Sequence, residues 1–174
     1  MAIVMIPAGC GEQAADGPPT VRLGDSLCAE CNMIISDDRF VTSTLVDGPR
    51  GPESRLFDDY ICQANYESKH TDLRVFARWS HDYATREWID TAEAFFVMSV
   101  ELRAPMASHA AALQTLDAAE HLQATLGGDI VSFETAWDRL QRGVGPSLLE
   151  PTPSDSTTPP APPASASDPS ESGS

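Results

Sequence analysis

The chain has 174 residues, with 26 acidic and 11 basic side chains and a formal net charge of −15. This length allows one or two small domains. Because no run of Lys or Arg interrupts the acidic charge, nucleic acids and anionic membrane surfaces are poor electrostatic partners for the chain.

The first ten residues form a short apolar run, MAIVMIPAGC, that ends in Ala8, Gly9 and Cys10. Two small residues before a cysteine are typical of the cleavage site in a lipoprotein signal. No basic residue precedes the run and Pro7 interrupts it, so the alternative is an ordinary start of a chain. We expect residues 1–10 to be the remainder of such a signal and 11–24 to be a linker. Cys10 would then carry a lipid and anchor the protein outside the cytoplasmic membrane.

The next part of the chain predicts a β-β-α-β unit over residues 25–82. Alternating β-branched residues favour a strand at 39–46, and the glycines and prolines of 47–52 favour a loop. A short strand follows at 55–57, then a helix at 60–69 capped by Asp58 or Asp59, and a third strand at 73–80.

The second part predicts a similar unit over residues 83–142. Strands are expected at 87–90 and 94–102, followed by an irregular segment at 103–108. Apolar residues at helical spacing predict a helix around 116–126 that ends at Gly127 and Gly128. A strand at 129–133 and a short helix at 134–142 complete the unit. The fold class is therefore α+β, with two consecutive β-β-α-β halves and a Pro/Ser-rich tail at 143–174 that we expect to be disordered.

The sulfur-containing side chains of the motif CAECNM, Cys28, Cys31 and Met33, are the strongest candidates for chemistry. If Cys10 is lipidated, three cysteines remain, and an odd number disfavours a framework of structural disulfides. Thiol redox chemistry at Cys28 and Cys31 is an alternative, although no helical pattern follows the motif as in thioredoxin-like proteins. A structural zinc site would need two further ligands, and the four histidines are scattered along the chain.

A thiolate and a thioether form a soft pair of ligands, and soft ligands favour Cu(I) over Zn(II), Mg(II) or Ca(II). If the motif is extended, Cys31 and Met33 point in the same direction and can bind one ion. Cys62 lies on the predicted first helix, where we interpret it as a small buried apolar residue, with metal binding as the minor alternative.

Five segments of the chain resemble the NosL family, the lipoprotein accessory factors of nitrous-oxide reductase. They are CAECNMII, LFDDYIC, HDYATREWIDTAEAFFV, APMASHAAAL and LGGDIVSF, in consistent order between residues 27 and 133. The resemblance implies a fold of two β-β-α-β halves and a protein without enzymatic activity that binds one Cu(I).

The resemblance also implies which residues bind the ion. Cys31 and Met33 match the family's Cys-x-Met ligands, Met106 matches a further methionine ligand, and Cys28 matches the leading cysteine of the motif. Asn32 stands where the family has glycine, and Asn tolerates the left-handed backbone conformation better than most residues.

The function expected from the resemblance is that of a metallochaperone. It would deliver Cu(I) to apo nitrous-oxide reductase or to its ABC-type maturation complex in the membrane. Two alternatives stay open: a thiol-disulfide oxidoreductase that uses Cys28 and Cys31, and a copper-scavenging or copper-sensing module that delivers the metal nowhere.

Overall fold

The computed structural model describes residues 17–143, so Cys10 and the tail at 144–174 lie outside the described residues. Within 17–143 the chain forms a four-stranded sheet, a three-stranded sheet and three α-helices. The elements are β1 (Thr42–Gly48), β2 (Gly51–Phe57), α1 (Tyr60–Lys69), β3 (Val75–His81), β4 (Trp88–Asp90), β5 (Phe95–Met98), β6 (Ala110–Leu113), α2 (Leu116–Leu126), β7 (Asp129–Val131) and α3 (Phe133–Gln141). None of the helices in this part of the chain is long and apolar enough to span a membrane.

The predicted fold class is confirmed. The first sheet has the order β2-β1-β3-β4 and the second has the order β6-β5-β7, and all of their strand pairs are antiparallel. Each half contains a β-β-α-β unit. One strand differs from expectation, because β4 was assigned to the second half but pairs with β3 in the first sheet.

The hairpin between β1 and β2 is longer than the sequence indicated. The predicted loop at 47–52 is wrong, since Asp47 pairs with Pro52 and Gly48 pairs with Gly51. Proline is compatible with this position because β2 is an edge strand of its sheet and needs no N–H donor on its open side.

The sequence analysis missed β6 and made β5 too long. Three consecutive alanines in Ala110–Leu113 favour a helix by intrinsic propensity, and this hid the strand. All four residues are buried. Ala110 and Ala112 pack in one apolar cluster with Tyr60, whereas Ala111 and Leu113 pack in another with Phe40. Packing on both faces of the strand therefore outweighs the helix propensity of the alanines.

Helix α1 has the bounds that the sequence predicted, with Asp59 as its N-cap. Tyr60 and Ala64 pack into the main apolar cluster. Cys62 belongs instead to a separate cluster with Cys28 and Phe57. The helix therefore presents one cysteine to the segment that carries the other two.

Asp82 connects the two halves. Its buried carboxylate accepts hydrogen bonds from the N–H groups of Ala84 and Thr85, both at 2.8 Å, and of Gln114 at 2.7 Å. Burial alone would raise the pKa of Asp82, but these donors outweigh it and hold the pKa below its usual value. The ionised carboxylate is therefore part of the folded structure.

The substitution Asp82→Asn is expected to lower the free energy of unfolding at neutral pH by about 2 kcal/mol, since hydrogen bonds to a charged acceptor are lost. The folded pKa lies below the unfolded value of about 3.9. The wild-type advantage is therefore complete above that value and disappears as the pH falls through the folded pKa. Urea unfolding of both proteins between neutral and acidic pH measures this difference. A difference that does not change with pH would contradict the role of the charge.

Candidate metal centre

Three cysteines from two separate segments converge in the structure. The Sγ atoms of Cys28, Cys31 and Cys62 all lie within 4.8 Å of one another. All three thiols are free, so no disulfide joins them. Three sulfur atoms at such distances are close enough to bind a single metal ion.

Cys28 and Cys31 lie in a tight turn closed by a bridge between Leu27 and Ile34. The N–H of Cys28 donates to the carbonyl of Met33 and the N–H of Asn32 donates to the carbonyl of Cys28, both at 2.9 Å. The expectation of an extended segment from Cys31 to Met33 is therefore wrong, because these hydrogen bonds close the chain into a turn.

The turn depends on Asn32, whose φ is +59°. This left-handed conformation is unfavourable for most residues, and Asn adopts it more readily than others. The expected role of Asn32 in place of glycine is confirmed. The reversal of the chain at this residue keeps Cys31 beside Cys28.

The turn is held against the end of β2 and the start of α1. The N–H of Ala29 donates to the carbonyl of Leu56 at 2.8 Å. Phe57 is fully buried in one cluster with Cys28 and Cys62, and Ala29 and Cys31 pack against this cluster. Because α1 begins directly after β2, its third residue, Cys62, faces the turn.

The site is closed on one side and open on the other. Cys28 is 0% exposed and Cys62 is 2% exposed, whereas Cys31 is only half-buried. An ion bound by the three sulfurs would be accessible through Cys31. This arrangement differs from that of a structural metal site, which is usually closed.

The three thiols have different acidities. A hydrogen bond from Cys62, assisted by backbone N–H groups of Cys31, Asp58 and Glu30, lowers the pKa of Cys28 to about 5 against the opposing effect of burial. The same bond to Cys28, together with burial, raises the pKa of Cys62 well above that of an ordinary thiol. Burial raises the pKa of Cys31. At neutral pH the site therefore holds one buried thiolate, and a cation would release further protons on binding.

Asp58 adds to the negative potential at the site. Burial, together with the charge of Cys28, raises the pKa of this carboxyl to about 6. Its Oδ1 atom is buried and has no hydrogen-bond partner among residues 17–143. Two neighbouring groups that can carry negative charge, with no cationic side chain among the causes that shift their pKa values, favour a cation at this position.

The two methionines of the predicted ligand set are both accessible, with Met33 55% exposed and Met106 37% exposed. Met33 follows the cysteine turn directly. Met106 lies in the loop before β6, and its N–H donates to the carboxylate of Asp59 at 2.8 Å. Their assignment as ligands stays a prediction.

The ring of His109 contacts the backbone. Its Nδ1 atom lies 3.1 Å from the carbonyl oxygen of Leu102. This contact leaves Nε2 as the ring nitrogen available for other partners.

Cys62 is the residue that the sequence analysis undervalued. Its interpretation as a small buried apolar residue describes its burial correctly but omits its two sulfur neighbours. The odd number of cysteines was the signal that could have indicated it. Sequence spacing could not, because 30 residues and a hairpin separate Cys62 from Cys31.

A comparison with curated proteins returned no match. The sequence profile of NosL matches residues 21–138, which is well over half of the chain. The chain belongs to the NosL family. Among solved structures, the chain is similar to the crystal structure of the copper chaperone NosL from Shewanella denitrificans, with a TM-score of 0.53 and 15% identity over 67% of this chain and 96% of that chain. At this identity, the likeness of the two NosL folds establishes the architecture alone.

The substitution Cys62→Ala in this NosL-family chain is expected to raise the pKa of Cys28 from about 5 toward that of an ordinary thiol. The reason is that the hydrogen bond from Cys62 is lost while the effect of burial persists. A pH titration of the ultraviolet thiolate absorbance in the metal-free protein measures the change. Cys31→Ala is the comparison variant, since it keeps this bond and removes only the weaker contact of the Cys31 thiol with Cys28, so a smaller rise is expected. A midpoint unchanged in Cys62→Ala would contradict the account.

Proposed function

We propose that this protein is a metallochaperone that binds one Cu(I) ion through Cys28, Cys31 and Cys62 and passes it to an acceptor. The observation that carries the proposal is the convergence of the three sulfurs, which all lie within 4.8 Å of one another. The lowered pKa of Cys28, which favours its thiolate form, agrees with it. The printed description of the Shewanella denitrificans structure as a copper chaperone supports the same conclusion.

The donor set favours Cu(I) over other metal ions. Thiolates and thioethers are soft ligands, and Cu(I) is the softest of the common biological cations. Cu(I) is stable with only two or three sulfur ligands, whereas structural Zn(II) sites require four ligands in a tetrahedron. The cluster of His, Cys, Asp and Glu ligands in residues 17–143 contains the three cysteines alone. Met33 and Met106 remain candidates for additional soft ligands.

Transfer follows from the uneven burial of the ligands. Two buried sulfurs hold the ion away from solvent, and the half-buried Cys31 leaves one side open to a ligand from the acceptor. An incoming sulfur or imidazole can enter the incomplete coordination shell before a cysteine leaves it. The ion then moves by exchange without passing through water. Apo nitrous-oxide reductase, or its ABC-type maturation complex, is the acceptor that we propose.

The burial of the low-pKa thiolate argues against the thiol-disulfide oxidoreductase. An enzyme of that class attacks its substrate with an accessible thiolate. Cys28 has the lowered pKa but is 0% exposed, and the accessible Cys31 has a raised pKa. Cys28 has the more reactive thiol but a substrate could not reach it, and Cys31 is accessible but less reactive.

Competition for Cu(I) with a chromophoric chelator tests the binding site. Cys62→Ala is expected to weaken Cu(I) binding by more than about 100-fold, since even the loss of a residue that only hydrogen-bonds to a metal ligand costs about 10–100-fold. Met98→Leu is the matched control, because it removes a buried sulfur outside the site at nearly constant volume. Equal affinities of Cys62→Ala and the wild type would rule out this site.

Mixing the Cu(I)-loaded protein with apo reductase separates the chaperone from the scavenging or sensing module. A chaperone transfers the ion faster in direct contact than across a dialysis membrane. A scavenger shows no such difference in rate. That result would contradict the proposed delivery of copper to the reductase, and the proposed copper binding would stand.

We further propose that Cys10 carries a lipid that anchors the protein on the outer side of the cytoplasmic membrane. The support is the small-small-cysteine sequence at residues 8–10. Cys10→Ser is expected to move the protein from the membrane fraction to the soluble extracytoplasmic fraction on cell fractionation. An unchanged distribution would contradict the anchor.

A further inference from the structure

One carboxylate joins the cysteine-bearing helix to the loop that carries Met106. Asp59 is 0% exposed, and its Oδ2 atom accepts hydrogen bonds from the N–H groups of Met106 at 2.8 Å and Ser108 at 3.2 Å. Its Oδ1 atom caps α1 by accepting from the N–H of Ile61 at 3.4 Å. The two oxygens therefore bind two different segments.

The loop held by Asp59 has an unfavourable backbone conformation. Ala107 and His109 have φ values of +59° and +55°, in the left-handed region that non-glycine residues rarely adopt. Such conformations persist when the surrounding structure enforces them. The two hydrogen bonds to Asp59, on either side of Ala107, provide this constraint.

The same residue also fixes the position of Cys62. The backbone carbonyl of Asp59 accepts the N–H of Cys62 at 3.0 Å. Asp59 is therefore hydrogen-bonded both to Cys62, a proposed metal ligand on α1, and to Met106, whose thioether is accessible. No other residue in the described part of the chain bonds to both.

A carboxylate at this position provides more than a helix cap requires. The hydroxyls of Thr115 and Ser132 cap α2 and α3 with a single oxygen. Serine caps a helix about as well as aspartate. Capping alone therefore does not explain the second oxygen of Asp59, which is bound entirely to the loop.

We propose that Asp59 is a positioning residue that holds Met106 beside the three cysteines, so that its thioether becomes a further ligand of the bound ion. This inference rests on the proposed binding of Cu(I) and adds the element that sets the ligand geometry. A thioether on a loop fixed only at its backbone can leave the ion as an acceptor ligand arrives. Met106 would then be the ligand released first during transfer.

The test uses NMR of the methionine methyl groups in the full-length protein, with and without Cu(I). In the wild type, Cu(I) is expected to shift the Met106 methyl signal, and the buried Met98 serves as an internal reference. In Asp59→Ser the cap on α1 is retained and the loop contact is lost, so the Cu(I)-dependent shift of Met106 disappears.

Affinity measurements on the same proteins provide a second test. Asp59→Ser and Met106→Leu are expected to weaken Cu(I) binding by the same factor, about 10-fold or more, and the double variant no further. Thr115→Ala is the matched control, since it weakens a helix cap away from the site and should leave both the affinity and the Met106 shift unchanged.

The outcomes distinguish this inference from the proposed function. If Cu(I) binds but the wild-type Met106 signal does not move, or if Asp59→Ser retains the shift and the affinity, the role of Asp59 is overturned and the cysteine site stands. If the wild type binds no Cu(I), the proposed function itself fails. The wild-type spectrum decides the first point even if Asp59→Ser does not fold.

Discussion

The convergence of three sulfurs around a buried negative charge is the constraint on which the rest of the account depends. The Cys62 thiol donates a hydrogen bond to Cys28 and stabilises its thiolate where burial alone would oppose the charge. The hydrogen-bond donors to Cys28 are all neutral, and a soft cation would stabilise the buried thiolate further. The negative charge at the site and the sulfur donor atoms thus both favour a soft cation.

The fold creates this site by joining short segments at fixed points. Ala29 attaches the cysteine turn to the end of β2, and the direct passage from β2 into α1 brings Cys62 opposite the turn. Asp59 and Asp82 are buried carboxylates that each bind backbone N–H groups of the second half. The relative position of the halves therefore depends on these two carboxylates, and one of them, Asp59, caps the helix that carries Cys62.

Local signals in the sequence predicted much of this structure. Asp59 and Gly127 mark helix ends by capping chemistry, so α1 and α2 lie where they were expected. The alanine-rich β6 was missed because only burial on both faces makes it a strand, and burial is a tertiary property. Cys62 was undervalued for the same reason. The motif indicated soft-metal chemistry, but the partner that completes the cysteine cluster comes from a segment whose approach no local pattern encodes.

X-ray absorption at the copper edge of the Cu(I)-loaded protein tests the central claim most directly, because it counts the sulfur atoms bound to the ion. The account predicts a shell of at least three sulfurs in the wild type and one sulfur fewer in Cys62→Ser. A shell dominated by nitrogen or oxygen, or a sulfur count unaffected by the loss of Cys62, would contradict the convergence of the three cysteines on one ion.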